Sequence, residues 1–223
     1  MTEHTKRLEA DVQAAVDSDP SAIAERVRAL TLEALAHGRL DAGQMKEVMG
    51  AVLRGAQQGI ERPDGERAAA VGEAVKGLDQ ALAAAAQATR LAVQEALGRS
   101  GEFSRETLKT RLDELDELES NFLDTLAEAA KSASGHVRTT LSDLAEHGRA
   151  SGTAVGGQVQ EAVSQLGRAL AELAREQVDG GVRTLRNEAG LFAGLAAGML
   201  RGIADRLQPG TGGSRGTDGD RGE

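Results

Sequence analysis

Residues 66–97 repeat apolar side chains at steps of three and four without interruption, and this repeat constrains the fold more than any other feature of the chain. The spacing follows the 3.6-residue turn of an α-helix and places the apolar side chains in one narrow stripe. The stripe consists of Val71, Val75, Leu78, Leu82, Ala85, Thr89, Val93 and Leu97. Alanine, the best helix former, occupies many of the positions between them. The sequence therefore predicts a single helix of about nine turns here.

The composition favours helices for the rest of the chain as well. Its 223 residues include 39 alanines but only three phenylalanines and no tryptophan or tyrosine, whereas β-sandwiches and barrels favour aromatic and β-branched side chains. No stretch alternates apolar and polar residues with a period of two. The predicted fold class is therefore all-α. The absence of cysteine excludes a disulfide scaffold, a thiolate metal site and a cysteine nucleophile.

Capping residues divide the first part of the chain into short helices. Asp19-Pro20 suits the N-cap and first turn of a helix. That helix is predicted to end at His37-Gly38, because glycine favours the left-handed conformation that follows a helix. Asp41 is predicted to cap the next helix, with Gln44 as its capping-box partner. Arg62-Pro63-Asp64-Gly65 then ends that helix.

The second half of the chain predicts longer helices. A continuous helix over 105–147 would be about 65 Å long at 1.5 Å per residue. Ser132-Ser134-Gly135 allows a kink within it, and His147-Gly148 is predicted to end it as His37-Gly38 ends the earlier helix. A last helix is predicted over 182–207. The residues after Pro209 are too polar and glycine-rich to pack, which predicts a disordered tail.

These segments predict three parts: short N-terminal helices over 1–62, a long-helix bundle domain over 63–207, and a disordered Gly-rich tail over 208–223. Narrow stripes rich in alanine and leucine suit nearly antiparallel helix packing or a coiled coil. The predicted architecture is an elongated antiparallel helical bundle with coiled-coil-like helices. Such stripes are too thin for every helix to be buried in one thick core. We therefore expect the chain to form a homo-oligomer.

Charge and hydropathy argue against several function classes. The net charge of −9 argues against a nucleic-acid partner, because phosphate contacts need clustered lysine and arginine. The longest uncharged apolar run, over 189–200, has twelve residues, whereas a membrane span needs about 20. Residues 3–19 carry five acidic side chains and no apolar run, unlike a signal or transit peptide. We expect no membrane span and a cytoplasmic location.

The titratable residues do not predict a catalytic, cofactor-binding or metal site. His136 and His147 are separated by about 16 Å along a helix, too far to share a metal ion. His37 and His147 precede glycine at predicted helix ends, where a histidine complements the helix dipole. The acidic cluster over 113–119 lacks the glycine turn and alternating ligands of a calcium loop. It is interpreted as a solvated helix face.

A helical stretch near the C-terminus combines glycine at every fourth position with adjacent apolar residues. This glycine face consists of Gly190, Gly194, Gly198, Gly202, Leu191, Leu195 and Met199. Each interior glycine costs a helix about 1 kcal/mol relative to alanine, and close approach of another helix is the best-known compensation. The glycine face is therefore predicted to be an interaction surface, with docking on a lipid or polymer surface as the alternative. Gly148, Gly152 and Gly156 repeat the spacing, either as a second face or as a loop.

Two stretches carry a resemblance to a known family. They are AVGEAVKGLDQALAAAAQATRLAVQEALG at 70–98 and FSRETLKTRLDELDELESNFLDTLAEAAKSAS at 103–134. Both resemble an uncharacterised bacterial family of alanine-rich helical proteins, catalogued as a domain of unknown function. The resemblance carries no catalytic motif and implies no functional residue. In general character the chain is also similar to phasins, amphipathic helical proteins that coat polyhydroxyalkanoate granules.

Three functions follow as hypotheses. The first is a non-enzymatic, self-associating helical scaffold or interaction protein without a cofactor. The second, which the similarity to phasins implies, is a protein that coats polymer granules or lipid surfaces. The third is a helical-bundle enzyme with a carboxylate metal site. Such enzymes use Glu-x-x-His pairs, and the sequence contains none, so the third hypothesis is disfavoured.

Overall fold

The computed structural model describes residues 2–37, 41–59, 63–98, 105–176 and 195–201. These ranges are helical apart from short connections and contain no strand, which confirms the predicted all-α class. The helices are α1 (Glu3–Val16), α2 (Ile23–Ala36), α3 (Ala42–Gln58), α4 (Asp64–Gly98), α5 (Arg105–Asp116), α6 (Leu118–Ser132), α7 (Gly135–Ser151) and α8 (Ala154–Glu176). A one-turn 3-10 helix over Pro20–Ala22 precedes α2, and residues 195–201 are helical.

Side-chain caps begin two helices where the sequence predicts them. The carboxylate of Asp19 accepts a hydrogen bond from the backbone N–H of Ser21 at 3.0 Å, and Pro20 occupies the first turn. The carboxylate of Asp41 accepts a hydrogen bond from the backbone N–H of Gln44 at 2.8 Å. Each bond satisfies a donor that the first turn of a helix leaves without an intrahelical partner. The predicted N-cap at Asp41 is confirmed. Asp19 caps the 3-10 turn that leads into α2, whereas α2 itself has Ala22 as its N-cap, without a side-chain hydrogen bond.

α4 is the central helix, and it confirms the long helix predicted over 66–97. Helices α2, α3, α7 and α8 all pack against it. Its buried surface is wider than the predicted stripe, because alanines on other faces are also buried: Ala68, Ala70, Ala74, Ala81, Ala84, Ala86, Ala88, Ala92 and Ala96. These small side chains let several helices approach one axis, and the buried residues form one continuous core. The expectation that thin stripes could not fill a single core is therefore wrong for the described helices.

Two glycines mark close crossings between described helices. Gly77 of α4 lies against the backbone of Ala24 in α2, so that a Cβ at position 77 would overlap the Ala24 carbonyl oxygen. Gly55 of α3 lies in the same way against the carbonyl of Glu9 in α1. Backbone atoms cannot move aside as a flexible side chain can. The absence of a side chain at these two positions therefore sets how closely each helix pair packs.

The predicted continuous helix over 105–147 is wrong. α5 ends at Asp116, and α6 and α7 form an antiparallel hairpin in which Arg149 of α7 pairs with Asp124 of α6 at 3.1 Å. The turn is sharper than the predicted kink because Ala133 is extended and Gly135 has a φ of +55°. A left-handed residue cannot continue an α-helix, and glycine adopts this conformation without steric cost. The hairpin packs the apolar sides of α6 and α7 into the common core.

The predicted helix end at His147-Gly148 is also wrong. α7 continues to Ser151, and the chain leaves it at Gly152, whose φ is +81°. α8 then begins at Ala154, so the chain that follows His147 is helix, then a short connection, then helix again. The glycine that ends α7 is therefore the second of the three glycines spaced by four.

α7 and α8 lie one after the other along α4. Contacts that run in the same order along both partners show that each is parallel to α4. They join Asp64 to His136, Asp79 to Ala154 and Arg90 to Gln165, and a Cβ built on Gly72 would lie 3.9 Å from the side chain of Thr140. The connection between α7 and α8 therefore lies beside Asp79, near the middle of α4.

The C-terminal predictions fall mostly outside the described residues. Of the last helix predicted over 182–207, only 195–201 is described, and it is helical. The tail predicted over 208–223 lies outside the described residues. The predicted boundary at residue 62 falls between α3 and α4, and buried side chains from both sides of it belong to one core.

Candidate interaction surfaces

The described helix over 195–201, which carries part of the glycine face, has a buried side and an open side. Ala196 and Leu200 are fully buried in the core, and Leu195 and Met199 are partly buried against it. Gly198 is exposed, and a Cβ placed on it would meet no atom within 4 Å. No described helix therefore approaches Gly198 closely. The other members of the face, Gly190, Leu191, Gly194 and Gly202, lie outside the described residues.

The second set of glycines does not form one helix face, because α7 ends between its members. Gly148 lies within α7 against the side chain of Leu123. Gly152 is the C-cap of α7. Gly156 lies in the first turn of α8, where a Cβ would overlap the carboxylate of Glu119. Each glycine thus has a different local environment, and a second interaction face at these positions is wrong.

A groove of about 830 Å³ lies between α2 and α4, with Arg201 among its lining residues. Apolar side chains of α2 contribute Ala29, Leu32 and Ala36 to its lining. Lys76 and Glu73 of α4 form an ion pair within it at 3.3 Å. Arg201 donates a hydrogen bond to the carbonyl of Ala36 at 3.4 Å. The Nε atom of Arg28 is buried and has no hydrogen-bond partner among the described residues.

Two carboxylates from other helices hold the start of α8. Asp79 of α4 accepts hydrogen bonds from the backbone N–H groups of Ala154 and Val155, each at 2.9 Å. Glu119 of α6 accepts hydrogen bonds from the hydroxyl of Thr153 at 2.7 Å and from its backbone N–H at 3.2 Å. These bonds satisfy donors at the helix N-terminus, where negative charge is also favoured by the helix dipole. α4, α6 and α8 therefore meet at one polar junction.

Asp79 and Asp64 differ in the direction of their pKa shifts. Burial raises the pKa of Asp79, the hydrogen bonds from Val155 and Ala154 oppose the rise, and the charge of Glu119 adds to it. Asp64, at the start of α4, accepts hydrogen bonds from Nδ1 of His136 at 2.7 Å and from its backbone N–H at 3.1 Å. Those hydrogen bonds lower the pKa of Asp64.

We expect the two aspartates to give opposite pH dependences of stability. The native state binds the Asp79 proton more tightly than the unfolded chain does, so ionising Asp79 lowers the free energy of unfolding as pH rises through its native pKa. The stability of wild type relative to Asp79→Asn should therefore increase from about pH 7 to about pH 4. Urea unfolding at each pH measures this difference.

Asp64→Asn is the matched control, because the native pKa of Asp64 is lowered. The contribution of Asp64 is present above its unfolded pKa and is lost as pH falls through its native pKa. The stability of wild type relative to Asp64→Asn should decrease from about pH 5 to about pH 3, below the range in which free histidine titrates. Slopes of the same sign for the two variants would contradict these assignments.

The other titratable residues singled out in the sequence lie at helix ends. His37 is the C-cap of α2, and its Nδ1 lies 2.8 Å from the carbonyl oxygen of Glu33, which confirms the predicted position at a helix end. Its ring centroid lies 6.3 Å from that of His4. The acidic cluster over 113–119 spans the break between α5 and α6. Across the described ranges, no three His, Asp or Glu side chains are arranged to hold a metal ion.

A comparison with protein-family models identifies the family of the chain. A family model described as a family of unknown function, DUF6781, matches residues 2–209. The chain belongs to that family. The DUF6781 match includes both stretches that carry the resemblance, 70–98 and 103–134, and extends over all the described helices. No curated protein and no solved structure matches the chain. No described helix is long and apolar enough to cross a membrane.

Proposed function

We propose that the chain is a non-enzymatic, cytoplasmic scaffold protein that self-associates through the glycine face. The observation that carries the proposal is the orientation of residues 195–201. Leu200 is fully buried in the chain's own core, whereas Gly198 faces open space. The helix is thus anchored on one side and leaves its smallest residue on the other.

The energetics of glycine favour an intermolecular contact at this face. A glycine in a helix interior costs about 1 kcal/mol relative to alanine. Within the described chain no neighbour of Gly198 offsets this cost, whereas close approach of a second helix would. A second copy presents the same face, and a two-fold pair of identical faces is self-complementary. We therefore assign the partner as another copy of this chain.

The buried stripes favour the scaffold over the phasin-like coat. A coat on an apolar granule or lipid surface needs exposed apolar side chains. In the described helices these side chains form the core, and Leu91, 36% exposed, is the one exposed large apolar side chain among them. The helices would have to separate before they could coat a surface. That separation would expose the whole core to water.

Light scattering combined with small-angle X-ray scattering tests the proposal on Gly198→Leu. The leucine meets open space within the monomer, so the fold should persist and helicity should rise. The mass of the associated species should fall towards that of one chain, because the added side chain blocks close approach. Gly167→Leu in α8 is the matched control, since Gly167 also has open space around a Cβ. A Gly198→Leu variant that associates like wild type would refute the proposal.

A further inference from the structure

The start of α1 and the end of α2 bring two histidines together. His4 lies in the first turn of α1 and His37 is the C-cap of α2. Their ring centroids are 6.3 Å apart, with an angle of 53° between the ring planes. Both side chains are exposed. The chain has four histidines and no cysteine, so this pair concentrates the nitrogen ligands that transition-metal ions prefer.

The hydrogen bond of His37 determines which of its ring nitrogens can bind a metal ion. Its Nδ1 lies 2.8 Å from the carbonyl oxygen of Glu33. Because a carbonyl oxygen can only accept, Nδ1 carries the proton and donates, and the neutral ring has its lone pair on Nε2. Metal-binding histidines are oriented in the same way, since they donate the other ring N–H to a backbone carbonyl or a carboxylate. His37 is therefore held in the tautomer that binds a metal ion through Nε2.

The separation of the two rings suits a shared ion. A zinc ion lies about 2.0–2.1 Å from a ligand nitrogen, and so about 3.2 Å from the centroid of that ring. Two rings that bind one ion at angles between tetrahedral and linear therefore have centroids about 5.2–6.4 Å apart. The observed 6.3 Å lies within this range. No hydrogen bond to another described residue holds the ring of His4, so it can turn to shorten the distance.

Carboxylates surround the histidine pair on two sides. Two cavities, of about 520 Å³ and about 340 Å³, are each lined by both histidines. The acidic residues in these linings are Asp41 and Glu47 in the first cavity, and Asp11 and Glu33 in the second. Among the described residues, Arg7 is the one lysine or arginine in either lining. This excess of negative charge attracts cations to the pair.

We infer that His4 and His37 together bind one divalent transition-metal ion of the Zn²⁺ type. Imidazole nitrogens suit Zn²⁺, whereas Mg²⁺ and Ca²⁺ prefer oxygen ligands. No three His, Asp or Glu side chains of the described ranges are arranged to hold a metal ion, so water completes the coordination of the ion. The bound ion joins the start of α1 to the end of α2 and stabilises this pair of helices.

Isothermal titration calorimetry of the full-length chain with Zn²⁺ tests the site. Wild type should bind one ion per chain, and its Tm should rise with the Zn²⁺ concentration because the ion binds the folded pair. His4→Gln and His37→Gln should each weaken binding by at least about tenfold. Both variants should keep the circular dichroism of wild type, because both side chains are exposed. His147→Gln is the matched control, since His147 is exposed on α7, and it should bind Zn²⁺ as wild type does.

Four results would overturn the inference. They are a wild type that does not bind Zn²⁺, and binding that persists unchanged in His4→Gln or His37→Gln. Equal binding of Mg²⁺ would show that the carboxylates, and not the imidazoles, hold the ion. One ion per two chains would assign the histidines to a contact between copies. The result does not depend on the proposed self-association, which Gly198→Leu tests through the associated mass.

Discussion

Gly77→Ala should lower the free energy of unfolding by about 1–3 kcal/mol, although alanine is the better helix former. The added methyl would overlap the carbonyl oxygen of Ala24, so α2 and α4 would have to move apart. Gly55→Ala should act in the same direction, because its methyl would overlap the carbonyl oxygen of Glu9. Urea unfolding followed by circular dichroism measures both losses.

Gly72→Ala is the control on the same helix. A Cβ at position 72 would make only an ordinary contact, 3.9 Å from Thr140. The gain in helix propensity should then dominate, and stability should rise by up to about 1 kcal/mol. Equal effects at Gly72 and Gly77 would show that the crossing of α2 and α4 is looser than the structure places it.

Leu115→Asp should be the most destabilising single change, with a loss of about 3–5 kcal/mol. Leu115 is 3% exposed, so the aspartate would place an unpaired charge in the core. Glu117→Lys, two residues away, should change stability by less than about 1 kcal/mol, because Glu117 is exposed between α5 and α6. Comparable losses for the two substitutions would mean that α5 does not present Leu115 to the core.

Local signals in the sequence predicted the local structure. The cap at Asp41 and the extent of α4 depend on residues within one or two turns of each other, and these predictions are confirmed. Local signals do not distinguish the hairpin of α6 and α7 from a kink in one continuous helix. The same residues at 132–135 permit both, and the choice depends on where α6 and α7 find partners on other helices.

The contacts that join helices distant in sequence could not be predicted from neighbouring residues. Asp79 caps α8 from 75 residues away, and Asp64 caps α7 from 72 residues away, whereas capping rules examine neighbours in sequence. Gly77 carried a partial signal, because it interrupts an alanine-rich helix. Gly72 carries the same signal without a close neighbour, so only the packing distinguishes the two glycines.

The two aspartates of α4 set the positions at which α7 and α8 begin along that helix. Asp64 and Asp79 are fifteen residues apart, about 22 Å along the axis, and each meets the N-terminus of a different helix. One residue inserted between them would rotate the second aspartate by about 100° away from α8. Seven inserted residues would nearly restore its direction but displace it by about 10 Å. The length of this part of α4 is therefore fixed in both distance and phase, and the residues that connect α7 to α8 are fixed with it because Asp79 and Glu119 bind them.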